Sequence, residues 1–239
     1  MREPVAKPKR FYREAKAEAG LDGHVLMLDG RPARTPAKNP LALPTRALGE
    51  AVAAEWAAQG ETIDPSSMPL TRFANSAIDG VARDMAAVRA ELARYAGSDL
   101  VMYRADAPEG LVRAQAEAWD PVLDWARESL GARFVLSEGV TFVAQPETSL
   151  ARVSAALEGE TSPFRLAALH VMTTLSGSVL LALMHEAGAI SAEAAWRAAH
   201  VDEFFQEILW GLDAEAAERR SRREAEFLAA SRILALSTE

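Results

Sequence analysis

The apolar residues of this chain change their period once, within residues 48–79, and that change limits what the chain can fold into. Ahead of it lie short runs broken by turn pairs. Phe11 and Tyr12 open a possible strand that Leu21-Asp22-Gly23 turns, and residues 24–28 (HVLML) read as a second strand. Asp29-Gly30 is a hairpin signal that sets residues 31–35 antiparallel to that strand, and Asn39-Pro40 marks a further turn before a short strand at 41–43. A sheet this small is not stable alone and must lean on another element. Within residues 48–79 the spacing becomes helical. Thr45, after Pro44, caps a helix with Leu48, Val52 and Trp56 on one face, and Gly60 ends it. A polar connector follows at 61–69, and Thr71 caps a second helix carrying Phe73, Ala77, Ile78 and Val81. The stretch reads as a joint with one large aromatic, Trp56, at its centre; tryptophan is mostly buried, which favours a structural role.

Past Thr71 the helical spacing continues. Met85, Val88, Leu92 and Tyr95 form one face that stops at Gly97, and residues 99–103 (DLVMY) are a strand or a buried loop. Residues 109–130 make a long helix candidate carrying Trp119, Leu123 and Leu130, in which Pro121 predicts a kink or a split into two helices. Residues 134–135 and 140–143 are strand-like pieces, and 149–157 read as a helix. The most apolar segment, 164–183, has the length of a membrane span, but Arg165, His170, two threonines and the break at Ser176-Gly177-Ser178 make it a buried core helix. Ser191 caps the next helix, where Val201, Phe204, Phe205, Ile208, Leu209 and Leu212 predict a wide buried stripe. Gly211 weakens or ends that helix, and Asp213 caps a last helix whose arginines and glutamates alternate as a solvated face. The expected class is α+β, with a β-rich domain over residues 1–70 that includes one helix and a helical domain over 71–239.

Composition narrows the function. A formal net charge of -8 argues against nucleic-acid binding, and the absence of cysteine rules out disulfides, thiol nucleophiles and thiolate metal sites. Residues 1–18 are basic without an apolar run, unlike a secretory signal, which suits a bacterial cytoplasmic protein. Phosphate-binding glycine loops and nucleophile elbows are missing. His185-Glu186 starts like a zinc-protease motif, yet Ala189 stands where a second histidine is needed. The four histidines are scattered singly, so neither a metal nor a cofactor is expected, and His170 reads as a core histidine. Asp202 and Glu203 have no nucleophile near them in sequence. With Gln206 and Glu207 they lie opposite the apolar stripe, and Trp210 sits near its edge. That cluster is either a solvated face or an acidic contact surface with an aromatic rim.

KRFY near the start, the hairpin VLMLDGRPARTP, LALP, the stretch AVAAEWAAQGETIDPSSMPLTRFANSAID and finally DEFFQEILWG together resemble the assembly-chaperone family for the alpha subunit of F1-ATPase. The resemblance runs over residues 9–211. It implies a small N-terminal antiparallel β domain packed on a larger, mostly helical domain, with no catalytic activity. It also implies one partner, the free F1-ATPase alpha subunit, whose apolar interface is shielded until beta replaces the chaperone. Neither nucleic acid nor membrane insertion belongs to that picture, and nothing demands more than a monomer. Bacterial members are cytoplasmic, and mitochondrial relatives work in the matrix. The family's acidic position falls on Asp202 or Glu203, which places the partner-binding set at Asp202, Glu203, Gln206 and Trp210. The family's sensitive tryptophan falls on Trp56, which with Glu55 and Phe73 is expected to hold the fold together. The arginine-rich helix after Asp213 and residues 137–161 depart from the family's pattern. A rival reading is a small-molecule-binding protein or enzyme with a pocket between its β and helical parts, using Asp202, Glu203 or His200.

Overall fold

The computed structural model describes residues 7–139 and 141–238. Part of the basic N-terminus (residues 1–6) and the first position of the expected strand at 140–143 therefore lie outside the described residues. Two compact units are found. One comprises Met1–Asp84, Pro163–Ala167 and Arg232–Glu239; the other comprises Met85–Ser162 and Ala168–Ser231. The fold class is a small N-terminal antiparallel β region followed by a mostly helical remainder.

In the first unit, β1 (Ala15–Gly20) pairs antiparallel with β2 (Gly23–Leu28), in register from Ala15↔Leu28 to Gly20↔Gly23. β2 is the central strand. On its other edge it takes β3 (Arg31–Pro32) and β4 (Ala42–Leu43). Asp29 and Gly30 both have positive φ, 48° and 75°, which is the backbone a two-residue hairpin with right-handed twist requires. The expected first strand starts later than Phe11, because Asp29 holds that approach: its carboxylate accepts from the backbone N–H groups of Arg13 and Glu14. Leu26 and Leu28 are buried on one face of the sheet, where α1 (Arg46–Ala57) lies. Thr45 caps α1 by accepting from the Leu48 N–H at 3.1 Å, and its hydroxyl donates to the Leu236 carbonyl. Gly49 permits the close approach of helix to sheet, since a Cβ there would sit 3.0 Å from those of Ala17 and His24. The sheet thus gains the support that its size requires.

A turn of 3₁₀ helix at Pro65–Ser67 leads into α2 (Pro69–Asp79). Thr71 is not the cap of this helix. Glu55 of α1 supplies the cap instead, accepting from the N–H groups of Leu70 at 2.7 Å and Thr71 at 2.8 Å and from the Thr71 hydroxyl at 2.7 Å. At the other end of α2, Asp79 accepts from the Thr35 hydroxyl, the Ala37 N–H and the Asn39 amide, which ties the helix to the loop ahead of β4. These two carboxylates bind α2 to the elements before it. The stretch of the first unit that begins the chain runs through α2 to Asp84.

The second unit contains α3 (Met85–Tyr95), a 3₁₀ turn at Leu100–Met102, β5 (Tyr103–Arg104) and α4 (Glu109–Trp125). Pro121 lies inside α4 without dividing it. The irregularity comes later, as a π turn over Ala126–Leu130 closed by Gly131 at φ 68°. Trp119 and Val122, both fully buried on either side of the proline, hold the helix in place. β6 (Ser137–Glu138) pairs parallel with β5, and residues 141–143 carry no strand. Then come α5 (Glu147–Glu158), α6 (Pro163–Ser176), α7 (Val179–Glu186), α8 (Ala192–Ala199), α9 (Val201–Trp210) and α10 (Ala214–Leu236).

The apolar segment at 164–183 is two helices rather than one, broken at Gly177 with φ 75°. Residues Val179 to Met184 of α7 are all buried. Asp99, itself fully buried, accepts from the N–H of Val101 in the 3₁₀ turn and from that of Leu180 in the first turn of α7. No helix among the described residues is long and apolar enough to cross a membrane.

Candidate functional site

Three side chains expected to be structural lie in the first unit. Glu55 is the carboxylate that caps α2. Trp56 is half-buried, with its ring 5.5 Å from that of Tyr12 and its carbonyl accepting from the Tyr12 hydroxyl at 2.7 Å. The Trp56 indole N–H is enclosed and without a partner among the described residues. Phe73 is half-buried on α2.

The expected partner-binding residues lie on α9 in the second unit, and their surroundings differ from the amphipathic picture. The wide stripe predicted to be buried has no buried member. Val201, Phe204 and Phe205 are half-buried, while Ile208, Leu209 and Leu212 are 82%, 55% and 68% exposed. Trp210 is 85% exposed. The first turns of α9 are anchored. Phe205 rests against Gly110 at the start of α4, where a Cβ would meet its ring at 3.1 Å, and Asp202 accepts from the Gln115 amide of α4 at 2.8 Å. Gln115 is buried, and its carbonyl oxygen accepts from the Ala105 N–H. Past Phe205 one polar side-chain tie remains among the described residues: Glu207 meets Arg220 of α10 at 2.5 Å, and that guanidinium also lies over the Phe204 ring. Gly211, at φ 87°, then turns the chain out of the helix, and Asp213 caps α10 by accepting from the N–H groups of Glu215 and Ala216. The apolar end of α9 is therefore placed by anchors at its base and is left exposed among the described residues.

The polar face of α9 borders a pocket of about 460 Å³, lined by Asp202, Glu203, Gln206 and His200 together with Thr174, Ser176 and Arg223. His200 is 3% exposed and stacks on Trp196 with ring centroids 3.7 Å apart. Its Nδ1 lies 2.9 Å from the Trp196 carbonyl, which only accepts, so Nδ1 carries the proton and Nε2 is a lone pair. Burial lowers the pKa of this imidazole and holds it neutral; the Trp196 carbonyl and nearby Glu203 oppose that shift, and Arg223 and Arg220 reinforce it. Arg223 donates to the Leu175 carbonyl at 2.8 Å. Asp202, Glu203 and Gln206 thus share one pocket, whereas Trp210 belongs to the exposed end. Sequence reasoning missed Gln115 and Arg220, which carry no motif and lie 87 and 13 residues from their partners on α9.

The other histidines are not gathered here. His170 is not a core residue: it is half-buried, with Nε2 3.4 Å from Glu91. His185 bridges the Ile190 carbonyl and the Ser231 hydroxyl. No group of three or more His, Asp or Glu among the described residues is placed to hold a metal ion.

An exposed apolar helix end beside a polar pocket is a surface of the kind by which proteins meet other molecules. The comparisons with known proteins narrow that reading. Residues 9–127 match the family model described as ATP12 chaperone protein. The fold resembles Atp12 from Paracoccus denitrificans at 45% identity and TM-score 0.92, covering 97% of this chain and 99% of that one. A mutant of the P. denitrificans Atp12p, in which an aspartate is replaced by lysine, matches at 44% identity and TM-score 0.93 over 98% and 100% of the two chains. The candidate chaperone Atu1473 of Agrobacterium tumefaciens matches at 46% identity and TM-score 0.93, over 97% of this chain and 87% of that one. The chain belongs to the ATP12 chaperone family. It is a chaperone and not an enzyme, which removes the enzyme half of the rival reading.

Proposed function

We propose that this chaperone serves assembly of the F1 sector of ATP synthase, binding the free alpha subunit and shielding its apolar interface until beta replaces it. Four large apolar side chains at one helix end, Ile208, Leu209, Trp210 and Leu212, carry the reading, because a chain with an ample core elsewhere leaves them in solvent. An orphan subunit of an obligate complex exposes a similar surface, and two such patches cover each other. The acidic pocket beside the patch supplies the polar contacts that an exchangeable complex needs, so Asp202, Glu203, Gln206 and Trp210 are assigned to the client. Glu55, Trp56 and Phe73 are assigned to the fold. A monomer presenting one such surface, working in the bacterial cytoplasm, suffices for this task.

Co-expression with an isolated alpha subunit tests the proposal. The subunit is expected to stay soluble and to co-purify as a complex; unchanged aggregation with no complex would refute it. The client-binding and structural residues are then separated by Glu203→Lys and Trp56→Arg. The first is expected to weaken the complex with unchanged circular dichroism, and the second to lower solubility and melting temperature.

A further inference from the structure

The acidic pocket beside α9 has a chemistry that client shielding alone does not require. Its unsatisfied groups are mostly acceptors, the Gln206 NH2 being the exception. Glu203 is exposed and has neither a hydrogen bond nor an ion pair among the described residues, and the same holds for the Gln206 side chain. Asp202 gives one oxygen to Gln115 and keeps the other. His200, almost completely buried as a residue, lines the pocket and keeps an Nε2 lone pair with no protein partner, because Nδ1 is committed to the Trp196 carbonyl. A lone pair held at the wall of a carboxylate-lined pocket accepts from a donor that enters it.

The resident donors do not fill this need. Arg223 is engaged with the Leu175 carbonyl and makes no salt bridge to Asp202 or Glu203. The Thr174 hydroxyl donates to the His170 and Val171 carbonyls, and the Ser176 hydroxyl to that of Met172. Nor do the acceptors converge as a metal site would. They are spread around a space of about 460 Å³. That is many times the ~30 Å³ of a single water, enough for a bulky, donor-rich organic cation.

We propose that the pocket seats one cationic side chain, arginine or lysine, presented by the bound client. Its N–H groups would be divided among the Asp202 and Glu203 carboxylates, the Gln206 carbonyl oxygen and His200 Nε2. Charge-assisted bonds of this kind give register to an interface whose apolar part, Ile208 to Leu212, is non-directional. The inference rests on the client-binding reading of α9 given above.

Two measurements test it separately from that reading. In the first, affinity for the purified alpha subunit is compared across wild type, Asp202→Asn, Glu203→Gln, His200→Phe and His200→Gln. Each isosteric amide keeps the shape of the pocket and removes one charge, and is expected to weaken binding about tenfold. His200→Phe keeps the stack on Trp196 and loses the acceptor, and is expected to weaken binding about fivefold; His200→Gln restores an acceptor and recovers part of the loss. Unchanged affinity in the Asp202→Asn, Glu203→Gln double variant would overturn the cation site while leaving the chaperone reading intact.

The second measurement needs no client. The imidazole NMR signals of the protein's four histidines are followed while N-acetyl-arginine amide or N-acetyl-lysine amide is added, with His200→Phe assigning the His200 signal. A saturable shift at His200 that vanishes in the double variant supports the site even if the alpha subunit proves not to be the client, and the stronger of the two probes identifies the side chain. No shift with either probe, together with unchanged affinity or no complex, overturns it.

Discussion

Helices α7 and α9 are close in length, both are rich in large apolar residues, and they lie in the same unit, yet their fates are opposite. In α7 six consecutive residues, Val179 to Met184, are buried, whereas α9 has no buried residue at all. Part of the difference is composition, since α7 is apolar nearly all round whereas α9 carries Asp202, Glu203, Gln206 and Glu207. The rest lies in what precedes each helix. α7 follows Ser178, whose side chain accepts from the Leu181 N–H, and its first turn is gripped by the buried carboxylate of Asp99. α9 has no side-chain cap, begins at His200 straight after α8, and is tied down through Asp202 and Phe205 near its start. Anchored at both the cap and the core, α7 is structure; anchored only at its base, α9 is free to meet something else.

The comparison breaks most readily at Asp99. Asp99→Ala strands the buried N–H groups of Val101 and Leu180, and is expected to cost about 2–4 kcal/mol of unfolding free energy by urea titration. A cost below about 0.5 kcal/mol would mean that α7 is held by packing alone. Burial also raises the Asp99 pKa to about 6, the hydrogen bonds from the Ser178 side chain and from backbone N–H groups opposing that shift. The folded state then binds this proton more tightly than the unfolded chain, whose value is near 3.8. Stability from this group is therefore full below about pH 4 and declines as pH rises towards 6, by about 3 kcal/mol for two units. Wild type and Asp99→Asn compared from pH 4 to pH 7 are expected to differ in slope in that sense; parallel curves would show Asp99 ionised throughout. His200 acts oppositely: its lowered pKa gives stability present above 6.5 and lost as pH falls.

A second, smaller effect concerns the joint in the first unit. Glu55→Ala removes the acceptor for two backbone N–H groups and the Thr71 hydroxyl at the start of α2, and is expected to cost about 1–2 kcal/mol in the same titration. Glu55→Gln keeps an acceptor oxygen and should recover about half. Equal losses in both variants would show that charge rather than geometry sets the cap.

How far the sequence was readable follows the same division between local and distant causes. Asp29-Gly30, Thr45, Ser191, Gly211 and Asp213 act on backbone within a few residues, and each was legible from residue type alone. Thr71 misled because a threonine before an apolar run resembles a cap, while the true cap came from Glu55 on the preceding helix. The hold on the far end of α2 was hidden for a similar reason, since Asp79 reaches back some 40 residues to Thr35 and Asn39. At α9 the residues of the candidate site were visible and their surroundings were not. Periodicity reports that a helix has an apolar side, but not whether anything covers that side. Only the fold shows that Ile208 and Leu209 face solvent, and that a buried imidazole lies beside Asp202.

The smallest stability effect belongs to the exposed end of α9, and it decides the comparison with α7. Leu209→Ser with Trp210→Ser changes side chains that are 55% and 85% exposed, so unfolding free energy is expected to move by no more than about 0.5 kcal/mol. The same substitutions in a core helix would remove several buried methylene equivalents and leave hydroxyls without partners. Binding should respond in the reverse order. Aromatic residues near the centre of an interface commonly contribute 2 kcal/mol or more when truncated, so the double variant is expected to weaken the alpha-subunit complex by about thirtyfold or more. Stability and affinity would then be carried by different helices of one unit. If the double variant instead unfolds the protein, the end of α9 is packed in solution and its resemblance to α7 is real. If it leaves both fold and affinity unchanged, the client lies elsewhere, and the uncovered end of α9 has a different use.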